Sequence, residues 1–134
     1  MPYTLEVCVD STASALAAMQ GGAHRLELCA DLVIGGTTPS LALLQQVKAE
    51  TGLPVRALLR PRFGDFCYDR WELAQMKESA AALVAAGADG IVTGVLTPDG
   101  AVDVEALQPI YAAAQAAAQR AGRPVACTLH RAFD

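Results

Sequence analysis

Short segments of alternating apolar and polar residues recur along the chain, separated by longer stretches with helical periodicity. The alternation predicts strands at 4–9, 25–30, 54–60, 90–96 and 124–130. The intervening stretches predict helices near 12–20, 40–51, 70–86 and 103–120, and glycine follows each of them, as is common where a helix ends. Because strand and helix alternate about every 20–35 residues, we expect a parallel sheet with right-handed crossovers.

The polar positions of these strands favour a barrel over an open sheet. Glu6 and Cys8 share one face in LEVCVD (5–10), and Glu27 and Cys29 share one face in LELCAD (26–31). An open doubly wound sheet is covered on both faces, so its central strands are apolar throughout. A TIM-like (β/α) barrel can instead line its interior and its carboxyl-end mouth with polar groups.

The predicted fold is therefore α/β, a TIM-like (β/α) barrel with about five parallel strands and four helices. Because such barrels have eight strands, we expect an incomplete one in a single domain, 1–134, which is truncated after the fifth strand. An incomplete barrel leaves an open strand edge, through which a second copy of the chain can associate as a homo-oligomer.

Composition narrows the functional classes. The 134 residues are 53% hydrophobic and 18% charged, with a formal net charge of −4. The absence of a basic stripe argues against nucleic-acid binding, and the absence of a long apolar segment argues against a membrane span. The amino terminus lacks the features of a signal peptide. We therefore expect a cytoplasmic protein, whose four cysteines stay reduced.

Two of those cysteines are candidate metal ligands. The repeated motif predicts that Cys8 and Cys29 occupy equivalent places on adjacent strands, whose backbones lie about 4.8 Å apart. Two thiolates within that reach suit a soft ion such as Cu(I). The alternative is that both thiols simply fill space, because free cysteine is among the most buried residue types.

A set of charged residues forms a second candidate site. These residues lie at inward positions or in loops that follow strands, where barrel active sites gather; they are Glu6, Glu27, Arg60, Arg62, Asp65, His130 and Asp134. Glu27 and His130 are the candidate acid and base, and the other five are candidate ligands of an anionic substrate. The alternative is a salt-bridge network in which the glutamates neutralise the arginines.

Several motifs together resemble the CutC family of copper homeostasis proteins. They are EVCVDS (6–11), RLELCA (25–30), GGTTPS (35–40), RPRFGDFCY (60–68), the run of Gly94, Leu96, Asp99, Gly100 and Asp103, and HRAFD (130–134). His24, Thr37 and Phe63 depart from the family pattern. The resemblance implies a TIM-like barrel, of which this chain covers the amino-terminal half or slightly more. It also implies copper as the ion, with Cys8 and Cys29 as its ligands.

Two functions follow from these observations. The first is a cytoplasmic copper homeostasis protein that binds Cu(I) through Cys8 and Cys29. The alternative is a barrel enzyme of unassigned reaction, which uses the Glu, Arg and His side chains at its carboxyl end on a small anionic molecule.

Overall fold

The computed structural model describes residues 3–133 and confirms the predicted α/β fold with five parallel strands and four helices. The strands run in the order β1-β2-β3-β4-β5, each parallel to its neighbours. The helices are α1 (Thr12–Gln20), α2 (Leu41–Thr51), α3 (Arg70–Ala85) and α4 (Val104–Ala121). The strands are β1 (Glu6–Val9), β2 (Arg25–Leu28), β3 (Val55–Leu58), β4 (Gly90–Thr93) and β5 (Ala126–Leu129).

Each strand is shorter than the sequence predicts, and β3 shows why. The alternation of residues extends to position 60, but pairing with β2 ends at Leu28↔Ala57. Beyond β3, the amide of Arg60 donates to the hydroxyl of Thr38 at 2.9 Å, and Thr38 donates its own amide to the Arg60 carbonyl at 3.0 Å. Beyond the end of β3, the chain therefore pairs with the loop that follows β2 instead of with β2 itself.

Capping groups fix the helix ends where the sequence predicts them. The Asp69 carboxylate accepts from the amide of Glu72 at 2.8 Å, and the Glu72 carboxylate accepts from the amide of Asp69 at 3.0 Å. Ser40 accepts from the backbone at the start of α2 in the same way. Gly52 and Gly122 follow α2 and α4 with φ of 65° and 71°, a conformation that glycine adopts without strain.

All four helices pack on one face of the sheet. Consecutive strands are neighbours throughout, so every right-handed crossover steps in the same direction and leaves its helix on the same side. The core between sheet and helices is apolar and includes Leu26, Leu28, Val55, Ala57 and Ile91 from the strands and Leu44, Val47, Met76, Leu83 and Ile110 from the helices. The opposite, concave face carries the polar residues.

The two outermost strands, β1 and β5, each have one hydrogen-bonded neighbour in the sheet that residues 3–133 form. Association of a second copy through these edges stays a prediction. Across the same residues, no helix combines the length and the apolar character needed to cross a bilayer.

Candidate functional site

A cavity of about 270 Å³ lies on the concave face, beside the residues that follow β3 and β5. Its walls combine apolar side chains with charged ones, as is typical of small-molecule sites. The lining residues are Glu27, Gly35, Leu58, Arg60, Phe66, Val92, Thr128, Leu129, His130 and Arg131. Three members of the predicted charged set, Glu27, Arg60 and His130, therefore meet here.

Arg60 is the most deeply buried charge of the cavity, with 4% of its surface exposed. Its Nη1 donates to the Gly36 carbonyl at 3.0 Å, and its Nη2 donates to the Gly64 carbonyl at 2.8 Å. The guanidinium also lies 5.2 Å from the ring centre of Phe66. Its Nε is buried without a hydrogen-bond partner, and no carboxylate of residues 3–133 forms an ion pair with it. A buried charge that lacks a counter-ion is costly to the fold.

Arg131 brings a second guanidinium to the same place. Its Nη2 donates to the Gly35 carbonyl at 3.1 Å, and its guanidinium lies 5.7 Å from the Phe66 ring centre. A Cβ at Gly35 would lie 2.6 Å from Nη2 of Arg131 and 3.2 Å from Nη1 of Arg60. The two arginines therefore converge on Gly35, whose φ of 92° also favours glycine.

His130 faces the cavity as a neutral hydrogen-bond donor. Its Nδ1 accepts from the amide of Ala132 at 3.1 Å, so the proton of the neutral ring lies on Nε2, which is buried without a partner. Burial, followed by the charges of Arg131 and Arg60, lowers the pKa of His130 to about 4. At neutral pH the ring can donate to a ligand, whereas the acid or base role of His130 and Glu27 stays a prediction.

The two candidate metal ligands are not at equivalent places, so that part of the prediction is wrong. Cys8 pairs with Glu27, and Val9 pairs with Leu28. Cys29 is therefore displaced by two residues toward the carboxyl end of the sheet. A shift of two residues preserves the face, because side chains alternate with a period of two. Both thiols thus remain on the concave side of adjacent strands.

The surroundings of the thiols differ. Cys8 is exposed and donates from Sγ to Oε2 of Glu27 at 3.3 Å. Cys29 is 2% exposed, and Gly36 covers it so closely that a Cβ there would lie 3.3 Å from its Sγ. Partial desolvation, then Glu27 and Cys29, raises the pKa of Cys8 to about 12. Burial, then Asp10 and Glu27, raises the pKa of Cys29 to about 11. Both groups are protonated thiols at neutral pH.

Glu6 lies outside the cavity, at the amino end of β1. It forms an ion pair with Arg25, with 3.1 Å between Oε2 and Nη2. This pairing differs from the predicted network, in which the glutamates would neutralise Arg60 and Arg62.

Arg62 and Asp65 are likewise absent from the cavity lining. Arg62 belongs to the loop after β3, where it forms ion pairs with Asp65 at 3.1 Å and with Glu72 at 2.6 Å. These contacts hold the loop against the start of α3. The prediction for Asp134 falls outside the described residues.

The lining residues that were not singled out from the sequence include Arg131 and Phe66. The HRAFD motif contains Arg131 directly after the fifth predicted strand, which is the signal that identifies it. Among residues 3–133, no group of three or more His, Cys, Asp and Glu side chains is arranged to hold a metal ion. A metal site in this region would therefore depend on the pair Cys8 and Cys29.

The family model and the curated relatives that match this sequence point to the same family. The model of the CutC family matches residues 3–134. A human copper homeostasis protein cutC homolog is 46% identical over 98% of this chain and 45% of its own length. A family protein CutC of Vibrio atlanticus is 42% identical over the full chain and 52% of its own length. The chain thus spans about half the length of these curated relatives.

The fold agrees with a solved member of the same family. The crystal structure of CutC from Streptococcus agalactiae superposes with a TM-score of 0.83 and is 32% identical in sequence. The match covers 98% of this chain and 61% of that chain. On the family match and these identities, the chain belongs to the CutC family.

Proposed function

We propose that this chain takes part in copper homeostasis in the cytoplasm by binding Cu(I) through Cys8 and Cys29. The names of the human relative and of the Streptococcus agalactiae structure both refer to copper homeostasis. A reducing compartment is consistent with the four cysteines, each of which is free in the structure.

The observation that carries this proposal is the placement of two free thiols on one face of adjacent strands. Cys8 and Cys29 are close enough that the charge of one raises the pKa of the other. Thiolates are soft ligands, and Cu(I) prefers them to the oxygen ligands that dominate the rest of this face. The two residues therefore supply the type of ligand that the ion prefers.

Binding requires both thiols to lose their protons. Because the pKa values of Cys8 and Cys29 are raised to about 12 and 11, each Cu(I) ion displaces two protons at neutral pH. The carboxylate of Glu27 already accepts a hydrogen bond from Cys8 Sγ at 3.3 Å. Glu27 is therefore placed to receive the proton that leaves Cys8.

The difference in exposure suggests an order of events. Cys8 is exposed on β1, whereas Cys29 lies beneath Gly36 with 2% exposure. We expect the ion to reach Cys8 first and then to engage Cys29.

The test is an anaerobic titration of the reduced protein with Cu(I) against a competing chelator. One ion per chain should bind to the native protein and to the control variant Cys67→Ser, whose thiol lies outside the pair. The double variant Cys8→Ser with Cys29→Ser should lose at least about 1,000-fold in affinity, since hydroxyls are poor ligands for a soft ion. Unchanged binding in the double variant would refute the thiolate site.

A further inference from the structure

The carboxyl end of the concave face contains two arginines with which no carboxylate of residues 3–133 forms an ion pair. Two arginines, Arg60 and Arg131, line the cavity against one carboxylate, that of Glu27, while His130 is neutral. The ion pairs formed within residues 3–133 involve Arg25, Lys48 and Arg62, and neither cavity arginine takes part in one. Counted over the part of the chain that the structure describes, the cavity thus has one excess positive charge.

Two hydrogen-bond donors of the residues that line this cavity lack partners. Arg60 Nε and His130 Nε2 are both buried without a partner. The side chains of Arg60, Arg131 and His130 all surround the ring of Phe66, the last with its ring centre at 4.9 Å. Buried donors without partners are uncommon, because each one loses its hydrogen bonds to water. An acceptor that carries negative charge would satisfy them together.

Backbone geometry keeps the two guanidinium groups near each other. The carbonyl of Gly36 binds Arg60, and the carbonyl of the preceding residue, Gly35, binds Arg131. Both glycines have positive φ, 92° at Gly35 and 90° at Gly36, which favours glycine at both positions. Two like charges held side by side repel, and an anion between them removes that repulsion.

The remaining wall of the cavity is apolar and small. Leu58 and Val92 line the same space, and the Phe66 ring lies in it beside the two arginines. The volume of about 270 Å³ lies just below the range of roughly 300–1,000 Å³ that is typical of ligand pockets. This space suits a ligand with one charged end and a compact apolar body.

We propose that the cavity between Arg60, His130 and Arg131 binds the oxyanion group of a small organic molecule, either a carboxylate or a phosphate monoester. Guanidinium groups bind both oxyanions through paired N–H donors. The His130 Nε2–H supplies a further donor, and the apolar wall contacts the body of the ligand. This site goes beyond copper binding and uses neither Cys8 nor Cys29.

The experiment is calorimetric titration of the purified protein with four probes. Phenyl phosphate and benzoate carry the two oxyanions on the same apolar ring, inorganic phosphate lacks the ring, and benzyl alcohol lacks the charge. At least one of the charged aromatic probes should bind more tightly than both inorganic phosphate and benzyl alcohol. The stronger of phenyl phosphate and benzoate identifies the oxyanion.

Two arginine variants test whether the probes bind in this cavity. Arg131→Gln should weaken the stronger probe by about 10- to 100-fold, because a charged hydrogen-bond donor is lost from an exposed residue of the cavity wall. The matched control is Arg120→Gln, which removes an exposed arginine from the last turn of α4 and should leave affinity unchanged. Equal affinity in the two variants would overturn the proposal. So would tighter binding of benzyl alcohol, or no binding of any probe up to about 10 mM.

Discussion

Polar side chains have different kinds of partner at the two ends of the concave face, the β1–β2 end and the β3–β5 end. At the β1–β2 end, polar side chains contact one another, Glu6 with Arg25 at 3.1 Å and Cys8 with Glu27 at 3.3 Å. At the β3–β5 end, Arg60 has only backbone carbonyls and an aromatic ring as partners. At the first end polar side chains pair with one another, whereas at the second no carboxylate of residues 3–133 forms an ion pair with Arg60 or Arg131.

This difference indicates what each end can bind. Glu6 and Arg25 also have one unpaired buried atom each, but their charges neutralise each other, so the pair is explained by the fold. The thiols at the same end are neutral and become ligands only when an ion displaces their protons. The arginines at the other end are charged already and attract an anion without any change of protonation.

The largest expected effect is the pH dependence of Cu(I) affinity, which should distinguish the cysteine end of the face from the arginine end. Because Cu(I) displaces two protons from Cys8 and Cys29, its apparent affinity should rise about 100-fold per pH unit between pH 6 and 8. Competition titrations at several pH values, corrected for the chelator's own protonation, measure this slope. The variant Cys8→Ser should reduce the slope to about tenfold per unit. A pH-independent affinity in the native protein would contradict proton displacement.

Gly36 links the two ends, so its substitution should disturb both. A Cβ at this position would lie 2.9 Å from Cδ2 of Leu58 and 3.3 Å from Sγ of Cys29, and its φ is 90°. We expect Gly36→Ala to lower the free energy of unfolding by about 3 kcal/mol, from backbone strain and overpacking together. Urea unfolding measures the change.

The matched control for this substitution is Gly22→Ala. Gly22 has a similar φ of 99°, but nothing lies within 4 Å of its added Cβ. Only the strain should remain, at about 1 kcal/mol. Equal losses in the two variants would show that Gly36 does not pack closely against Leu58 and Cys29.

A smaller effect tests the buried histidine at the β3–β5 end. The folded pKa of His130 is lowered from 6.5 to about 4, so between these values the unfolded chain binds a proton that the folded chain does not. The contribution of His130 to the stability of the fold is therefore present above pH 6.5 and lost as the pH falls toward 4. We expect a loss of about 1–2 kcal/mol, since solvent screens the partly exposed ring.

Comparison with His130→Gln isolates this contribution from that of the carboxylates. Urea unfolding of both proteins at pH 7 and pH 4.5 gives the difference directly. The native protein should lose more stability than the variant over this range. Equal losses would mean that His130 titrates normally and is not shielded by the cavity.

The smallest effect concerns an arginine that does have carboxylate partners. Arg62→Lys loses the planar group that contacts Asp65 and Glu72, and we expect about 1 kcal/mol less stability. Because Arg62 is absent from the cavity lining, the affinity for phenyl phosphate or benzoate should not change. A drop in affinity comparable to that of Arg131→Gln would place Arg62 in the anion site.

The fold could be predicted because its signals are local. Alternation with a period of two identified each strand, and glycines such as Gly52 and Gly122 marked helix ends that the structure confirms. The same alternation placed Cys29 and Arg60 on the concave side. These inferences need only the geometry of a single strand or helix.

The errors arose where two segments had to be related. The motif repeats after 21 residues, but β1 and β2 align with an offset of 19, as in Glu6↔Arg25. The two offsets differ by two residues, which is one full period of side-chain alternation. The sequence therefore identified the face of the sheet on which Cys8 lies, but not the residue that pairs with it. Register depends on barrel geometry rather than on a local pattern.

Parity also fails beyond the end of a strand. Arg62 follows β3 by several residues, and the loop turns it toward Glu72. Arg131 has outward parity, yet it begins a short 3-10 helix that returns its side chain to the cavity. Loop conformation set the position of both arginines, and the alternating pattern carries no information about it.

The central claim is that the two ends of one face bind different ligands independently. A crossed titration tests it most directly: Cu(I) and the stronger of phenyl phosphate and benzoate are each titrated into Cys8→Ser/Cys29→Ser and into Arg131→Gln. The account predicts that the cysteine variant loses Cu(I) and keeps the anion, while the arginine variant loses the anion and keeps Cu(I). If either variant lost both ligands to the same degree, the concave face would hold a single shared site and the account would be contradicted.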